Sequence, residues 1–318
     1  MARAAIKSAE ALQPLVNLLK DRIIEYDIGG FDATGLQVLK EPNRSPTVKS
    51  SVYCMRGGPP DQAVTVYNYN ALQHKRFVDD WFAGFSGTLH CDADPLFERL
   101  FARPDVYPSY CHAHARRQFE PIAKASKTPG LAHKAMQFYG RLYRLERLAK
   151  DQGLDPEDRL AFRQQHSRPL MAEFHAWLVE HAPTTLPKSP LGKAFRYVLT
   201  RWEDFNRFLL DGRLEVDNNL TEQAVKPLVM ARKNFLFADS VAGAQALCVH
   251  MSLIRTAKQH GLDPYRYYEA VLTAMPMCTT VEDVESLLPW RIELGLAYGQ
   301  TMTEQATRHS DATSCRAA

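Results

Sequence analysis

Long apolar runs are missing from this 318-residue chain. The longest uncharged apolar stretch, Val241 to Ile254, carries His250 and falls short of the roughly 20 residues that span a bilayer. A transmembrane helix is therefore excluded, and no membrane partner is expected. No apolar segment follows the early basic residues Arg3 and Lys7, which argues against a secretory leader. Cysteine is scarce as well: six residues, with no C-x-x-C pair. That spacing speaks against a disulfide scaffold and a structural zinc knuckle and fits a reducing cytoplasm. Net charge is only +3, too little to mark the whole chain as a polyanion binder. Its distribution is uneven, however. Between Cys111 and Lys150 nine Lys or Arg face two acids, a local surplus of +7. Such a surplus suits either a phosphate backbone or a plain solvated helix face.

What is present is the composition of an ordered globular protein, 45% hydrophobic and 24% charged, long enough for about two domains. Leu12, Leu15, Val16, Leu19 and Ile23 repeat at three- and four-residue spacings, which predicts an amphipathic helix over Ala4–Tyr26. Pro14 is expected near a break or in an early turn, and Gly29-Gly30 as the end. Phe31–Leu39, Ser51–Arg56 and Ala63–Tyr69 are rich in Val, Tyr, Phe and Thr and are separated by turn residues, the pattern of an antiparallel meander. Helical spacing in Leu72–Phe85, a strand at Gly87–Cys91, a short helix at Pro95–Phe101 and a strand at Val106–His112 follow. Three strands, a helix, a strand, a helix and a strand is the order of an RNase H-like α/β sheet. From Phe119 to about Leu210 the period is helical, punctuated by Pro156, Pro183, Pro187 and Pro190, as in a large α-helical insertion. Helices are then expected from near Asn219, over Ala242–His260 and over Pro264–Met275, with Gly261 as a stop. The small, polar tail from Thr301 to Ala318 reads as disordered. The resulting division is a helix over 1–28, a first core part over 29–118, an insertion over 119–210, a second core part over 211–295 and a tail over 296–318.

Three acids stand out by position. Asp32 lies inside the first strand, where a charge is costly unless it serves a metal or a partner. Asp92 follows the fourth strand, and Glu222 sits in the first turn of a helix. Brought together, three carboxylates make a hard-oxygen site of the kind that holds Mg²⁺. Each also has a structural explanation. Asp32 could accept backbone hydrogen bonds with Thr34 completing a turn. Asp92 with Asp94 and Pro95 forms a helix-start signal, and Asn219 with Glu222 resembles a capping box. Composition and spacing leave both possibilities standing.

The segment from Leu214 to Ser240, LEVDNNLTEQAVKPLVMARKNFLFADS, resembles the signature block of the insertion-sequence transposases of the IS66 family, D-N-N-x-x-E-R-x-x-R-P followed by G-R-K-N-x-L-F-x-x-S. Further stretches are similar to that family's motifs: Cys111-His-Ala-His114-Ala-Arg116-Arg117-Gln-Phe119, Asp32-Ala33-Thr34, Gly87-Thr-Leu-His-Cys-Asp92, Leu253-Ile-Arg-Thr-Ala-Lys258 and Gly261-Leu-Asp-Pro-Tyr265. They run in order from about residue 10 to residue 290. The resemblance implies a DDE-type catalytic core of RNase H-like fold with a helical insertion and C-terminal helices. It implies that Asp32, Asp92 and Glu222 are a catalytic, metal-binding triad for two Mg²⁺ ions, with Mn²⁺ as a substitute. The implied reaction is metal-dependent cleavage of DNA at the element's ends, then attack of the freed 3′-hydroxyl on target DNA. His114, Arg116, Arg117, Lys226, Arg232 and Lys233 are the expected DNA contacts, and Asp217 is expected to set the start of the Glu222 helix. DNA ends and target DNA, a homo-oligomer on paired ends, and accessory proteins of the same element are the implied partners. The implied location is the bacterial cytoplasm, at the nucleoid when bound to DNA.

The sequence departs from the family pattern in places. Ala33 stands where a Glu is usual, Gln223 and Lys226 replace Arg, and Ala231 replaces Gly. The chain begins just before the catalytic core and lacks the family's upstream cysteine/histidine module. An N-terminally truncated transposase is therefore expected. The alternative is an inactive remnant that binds DNA or an intact transposase.

Overall fold

A computed structural model describes residues 2–70 and 75–294. Two sequence readings, Leu72 at the start of the second helix and the tail from Thr301, lie outside the described residues. The chain opens with α1 (Ala2–Ile24) and the strands β1 (Ile28–Lys40), β2 (Lys49–Gly57) and β3 (Val64–Asn70). Next come α2 (Lys75–Trp81), β4 (Gly87–Cys91) and β5 (Val106–Tyr110). A helical block follows: α3 (His112–Ala125), α4 (Leu131–Asp151), α5 (Pro156–Phe162), α6 (Arg168–His181), α7 (Pro190–Leu199) and α8 (Trp202–Phe205). The chain then returns through α9 (Asn219–Phe235), β6 (Ala238–Ser240), α10 (Val241–Gln259), α11 (Pro264–Ala274) and α12 (Val281–Glu285).

The six strands form one mixed sheet ordered β3-β2-β1-β4-β5, with β6 against the far end of β1. β1, β2 and β3 pair antiparallel, as the meander predicted, while β4 and β5 join in parallel. Alternation along the strands sorts the residues by face. Phe31, Tyr53, Met55, Leu89 and Cys91 enter a core with Leu12, Leu15, Leu19 and Ile23 of α1 and Leu253 of α10. Asp32, Cys54, His90 and Asp92 alternate with them and fall on the opposite side. There α9 packs its Ala224, Val225 and Leu228 over Leu36, Val38, Val52 and Cys54.

Several boundaries differ from the sequence reading. Gly29-Gly30 does not end α1; the helix stops at Ile24 and both glycines belong to β1. Pro14 sits inside α1, not at a break. His112 is no strand residue. It begins α3, is buried, and places Nε2 2.7 Å from the Phe205 carbonyl, so regular helix begins seven residues before Phe119. Gly261 does end α10, with φ of 71°.

Two devices hold this frame. The free edge of β3 is covered by hydroxyls of α10: the Tyr67 N–H donates to Ser252 Oγ at 2.8 Å and the Thr65 N–H to Thr256 Oγ1 at 3.2 Å. In the helical block, Arg163 is fully buried and donates to Glu146 Oε1 and Oε2 at 2.9 and 2.6 Å. It also reaches the carbonyls of Phe208 and Leu214, while Arg159 bridges Glu146 and Glu215. The segment leading into α9 is thus gripped by the block before it.

Candidate active site

Each of the three acids arrives on a different element. Asp32 lies near the middle of β1, opposite Cys54 of β2, and its Oδ1 accepts the Ala33 N–H at 2.7 Å. It is therefore no strand-end turn residue. Asp92 follows β4 directly. The helix-start role belongs to its neighbour Asp94, whose side chain accepts the Leu96 N–H, which leaves the Asp92 carboxylate for other work. Glu222 occupies the first turn of α9, but not as a capping box. The cap is Asn218, with no side-chain cap bond, and the Glu222 carboxylate turns toward α3. Asp217 acts as expected at the helix start, accepting from the backbone and side-chain amides of Asn219.

Close approach of α9 to β1 depends on Gly30. A Cβ there would lie 2.3 Å from Thr221 Oγ1. Asn218 then ties the two elements, its side-chain amide donating to the Phe31 carbonyl at 2.8 Å and its backbone N–H to Cys111 Sγ at 3.2 Å. One residue beyond each end of the Asn218–Phe31 bond the chain is committed to the site, toward Asp32 on β1 and into α9 toward Glu222. Asn218 and Cys111 were both inside recognised motifs, yet sequence reasoning gave neither a role. No local signal marks either, because both act through contacts between distant parts of the chain.

His114, in the first turn of α3, gathers the second and third acids. Its Nδ1 lies 2.6 Å from Asp92 Oδ1 and 3.6 Å from Glu222 Oε1. Arg117, one turn later, places Nη1 2.7 Å from His114 Nε2 and Nη2 3.0 Å from Glu222 Oε2. Asp32, His114, Arg117, Glu222 and Lys226 line one open cavity of about 380 Å³. Asp32 feels both its burial and the neighbouring acids. Burial, reinforced by the charges of Asp92 and Glu222, pushes Asp32 up to about 6 although the Ala33 N–H works against it. The Asp92 carboxylate holds His114 up to about 10. A guanidinium can only donate, so the Arg117 contact asks for a lone pair on Nε2. Arg117 therefore works against the second ring proton that the Asp92 carboxylate favours.

The other expected DNA contacts divide. Lys226 stands one helical turn beyond Glu222 and shares its cavity. Arg116 points elsewhere and pairs with Glu120 at 3.4 Å. Arg232 and Lys233 close the last turn of α9, roughly 15 Å along the helix from Glu222. Neither has an ion-pair partner among the described residues, and both extend the basic surface away from the acids.

The chemistry of this donor set fits a divalent cation, and among the described residues the side chains already at ligand spacing are Asp92, Cys111 and His114. Glu222 approaches the same imidazole, and Asp32 stands within electrostatic reach of both other acids. Among the described residues no helix is long and apolar enough to cross a membrane.

The family model described as Transposase IS66 family matches residues 1–246, and that of the IS66 C-terminal element matches residues 252–290. Two proteins of Sinorhizobium fredii are similar. The uncharacterized protein y4jD is 34% identical over 240 residues, covering 73% of this chain and 46% of its own. The uncharacterized protein y4qI is 29% identical over 295 residues, covering 89% and 54%. The chain spans about half the length of the curated relatives it matches. No solved structure matches it.

Proposed function

The chain belongs to the IS66 transposase family, and from that membership we propose that Asp32 and Glu222, which line the cavity, and Asp92, which contacts its His114, form the DNA-cleaving and strand-transferring centre of a DDE-type transposase. One observation carries the reading. Asp92 and Glu222, about 130 positions apart in the chain, meet on a single nitrogen of His114, with Asp32 lining the same cavity. Burying Asp32 at a raised carboxyl pKa beside two further acids is costly, and a structural role would not need it.

Family membership implies DNA as the substrate and a divalent metal as the cofactor. Asp32, Asp92 and Glu222 would hold two Mg²⁺ ions, with Mn²⁺ as a substitute; when bound, these supply Lewis-acid activation and neutralise phosphate charge. The chain's own residues position the DNA. Arg117 and Lys226 offer cationic donors at the mouth of the cavity, and a guanidinium suits two phosphate oxygens at once. Arg232 and Lys233 extend the track along α9, while Arg116 lies on its flank. His114 keeps Asp92 and Glu222 in register. In the first step, water attacks the phosphorus at the element's end and the 3′-oxygen leaves with a proton, giving a 3′-hydroxyl. That hydroxyl then attacks a phosphorus of target DNA in line, exchanging one phosphodiester for another.

The same proposal reads the sheet as an RNase H-like core. Its support is the order β3-β2-β1-β4-β5 with three antiparallel strands followed by two parallel ones. Residues 29–118 and 211–295 are then the two core parts and 119–210 the insertion. Homo-oligomers on paired ends, accessory proteins of the element and a cytoplasmic, nucleoid-bound location belong to this reading. The test is cleavage of supercoiled DNA carrying the element's ends, in Mg²⁺ or Mn²⁺. Asp92→Asn and Glu222→Gln should each lose about a hundredfold or more, the scale for removing one transition-state partner. Equal cleavage by wild type and Asp92→Asn would refute the assignment.

A further inference from the structure

The second acid has company that a carboxylate triad does not require. Asp92 Oδ, Cys111 Sγ and His114 Nδ1 all lie within 4.8 Å of one another. They come from two adjoining pieces of chain, the end of β4 and the N-terminus of α3. Cys111 is 1% exposed, and Asp92 Oδ1 and His114 Nδ1 are buried against each other at 2.6 Å. Tetrahedral Zn²⁺, with bonds of roughly 2.0–2.3 Å, spaces its ligand atoms about 3.3–3.8 Å apart. The Asp92–His114 contact at 2.6 Å would open slightly and the wider Cys111 spacing would close. Glu222 Oε1, 3.6 Å from the same His114 nitrogen, stands where a fourth donor or water belongs. Sulfur and imidazole are ligands that Mg²⁺ avoids and thiophilic ions prefer.

We infer that Asp92, Cys111 and His114 form a site for a thiophilic divalent ion, Zn²⁺ or Co²⁺, distinct in ligand chemistry from the hard-oxygen site of the three acids. The two sites share Asp92, so they exclude each other: the thiophilic ion takes the second acid away from the triad. Binding exchanges the thiol proton for the metal and releases it to solvent. The binding itself follows from the geometry alone. Its consequence, silencing of cleavage, rests on the proposed transposase reading.

Titration of the whole chain with Co²⁺ gives a readout that needs no nuclease activity. A thiolate-to-cobalt charge-transfer band should appear, with the intense visible bands of four-coordinate cobalt. Zn²⁺ should displace it. Cys111→Ser keeps an acceptor for the Asn218 N–H, so the fold is retained; it should abolish the charge-transfer band and weaken Zn²⁺ binding at least tenfold against a chromophoric chelator. His114→Gln should weaken it similarly, with folding checked by circular dichroism. Absence of the band in wild type, or unchanged Zn²⁺ affinity in a folded Cys111→Ser, overturns the site. If the band forms but Mg²⁺-supported cleavage is absent in wild type, the transposase reading fails while this site stands. If wild type cleaves DNA and shows no band, the reverse holds. If both are present, micromolar Zn²⁺ should suppress cleavage, and unimpaired cleavage with the site filled overturns the exclusion.

Discussion

Asp32 should make the metal-free protein less stable than it could be. Its carboxyl is pushed up to about 6, from an ordinary 3.8, chiefly by burial on the α9 face of the sheet. Between those two values the folded chain holds a proton that the unfolded chain has released. Stability therefore falls as pH rises through this window, and the full penalty is present above pH 6. A gap of that size corresponds to about 3 kcal/mol. Asp32→Asn keeps the oxygen that accepts the Ala33 N–H and cannot ionise, so it escapes the penalty. The assay is urea unfolding of both proteins in EDTA at pH 4 and pH 7.5. At pH 4 the two should be close. At pH 7.5 the variant should be the more stable by about 3 kcal/mol, because the wild type alone has lost stability. Saturating Mg²⁺ should then raise the wild type and leave the variant nearly unmoved, since binding to the native state alone adds stability. An identical stability difference at both pH values would refute the argument that burial strains this carboxylate.

Other parts of the frame give sharper structural tests. Arg163→Met leaves Glu146 buried without its closest cation and should cost about 3–5 kcal/mol by urea unfolding. Ser252→Ala strips the Tyr67 N–H of its acceptor at the covered edge of β3 and should cost about 1–3 kcal/mol, with faster amide exchange at Tyr67. Gly30→Ala places a Cβ 2.3 Å from Thr221 Oγ1, so α9 must shift; DNA cleavage should drop by more than the loss of stability explains, and Thr221→Ala should restore part of it.

The strands and most helices were legible because their signals are local. Runs rich in Val, Tyr, Phe and Thr between turn residues marked β1, β2 and β3, but which face of them is core emerges only from the packing of α1 and α10 on Phe31, Tyr53 and Met55. Errors clustered where a tertiary contact overrules a local habit. Gly29-Gly30 reads as a helix stop, yet Gly30 is small because Thr221 packs onto it. His112 looks like the end of a strand, but its ring reaches the Phe205 carbonyl across 93 positions of chain and so belongs to the helical block. Asn219 and Glu222 carry the letters of a capping box, while the nearest cation, Arg117, pulls the glutamate outward. The three acids could be named from motif resemblance, but no periodicity reveals that Asp92 and Glu222 share His114.

The helical block is easily taken for an appendage, yet it decides where the third acid stands. Arg163 and Arg159 hold Glu146 below the ordinary carboxylate range even though burial pushes the other way, so the cluster stays charged. That charge fixes the carbonyls of Phe208 and Leu214 and the side chain of Glu215, the last stretch before Asn218. Asn218 in turn sets α9 on β1. α3, from the same block, brings His114 and Arg117 to Asp92 and Glu222. Asp32 on β1, Asp92 just after β4 and Glu222 on α9 are thus positioned by side chains of a segment that supplies none of the three. Loosening the block should consequently move Glu222 before it unfolds the sheet.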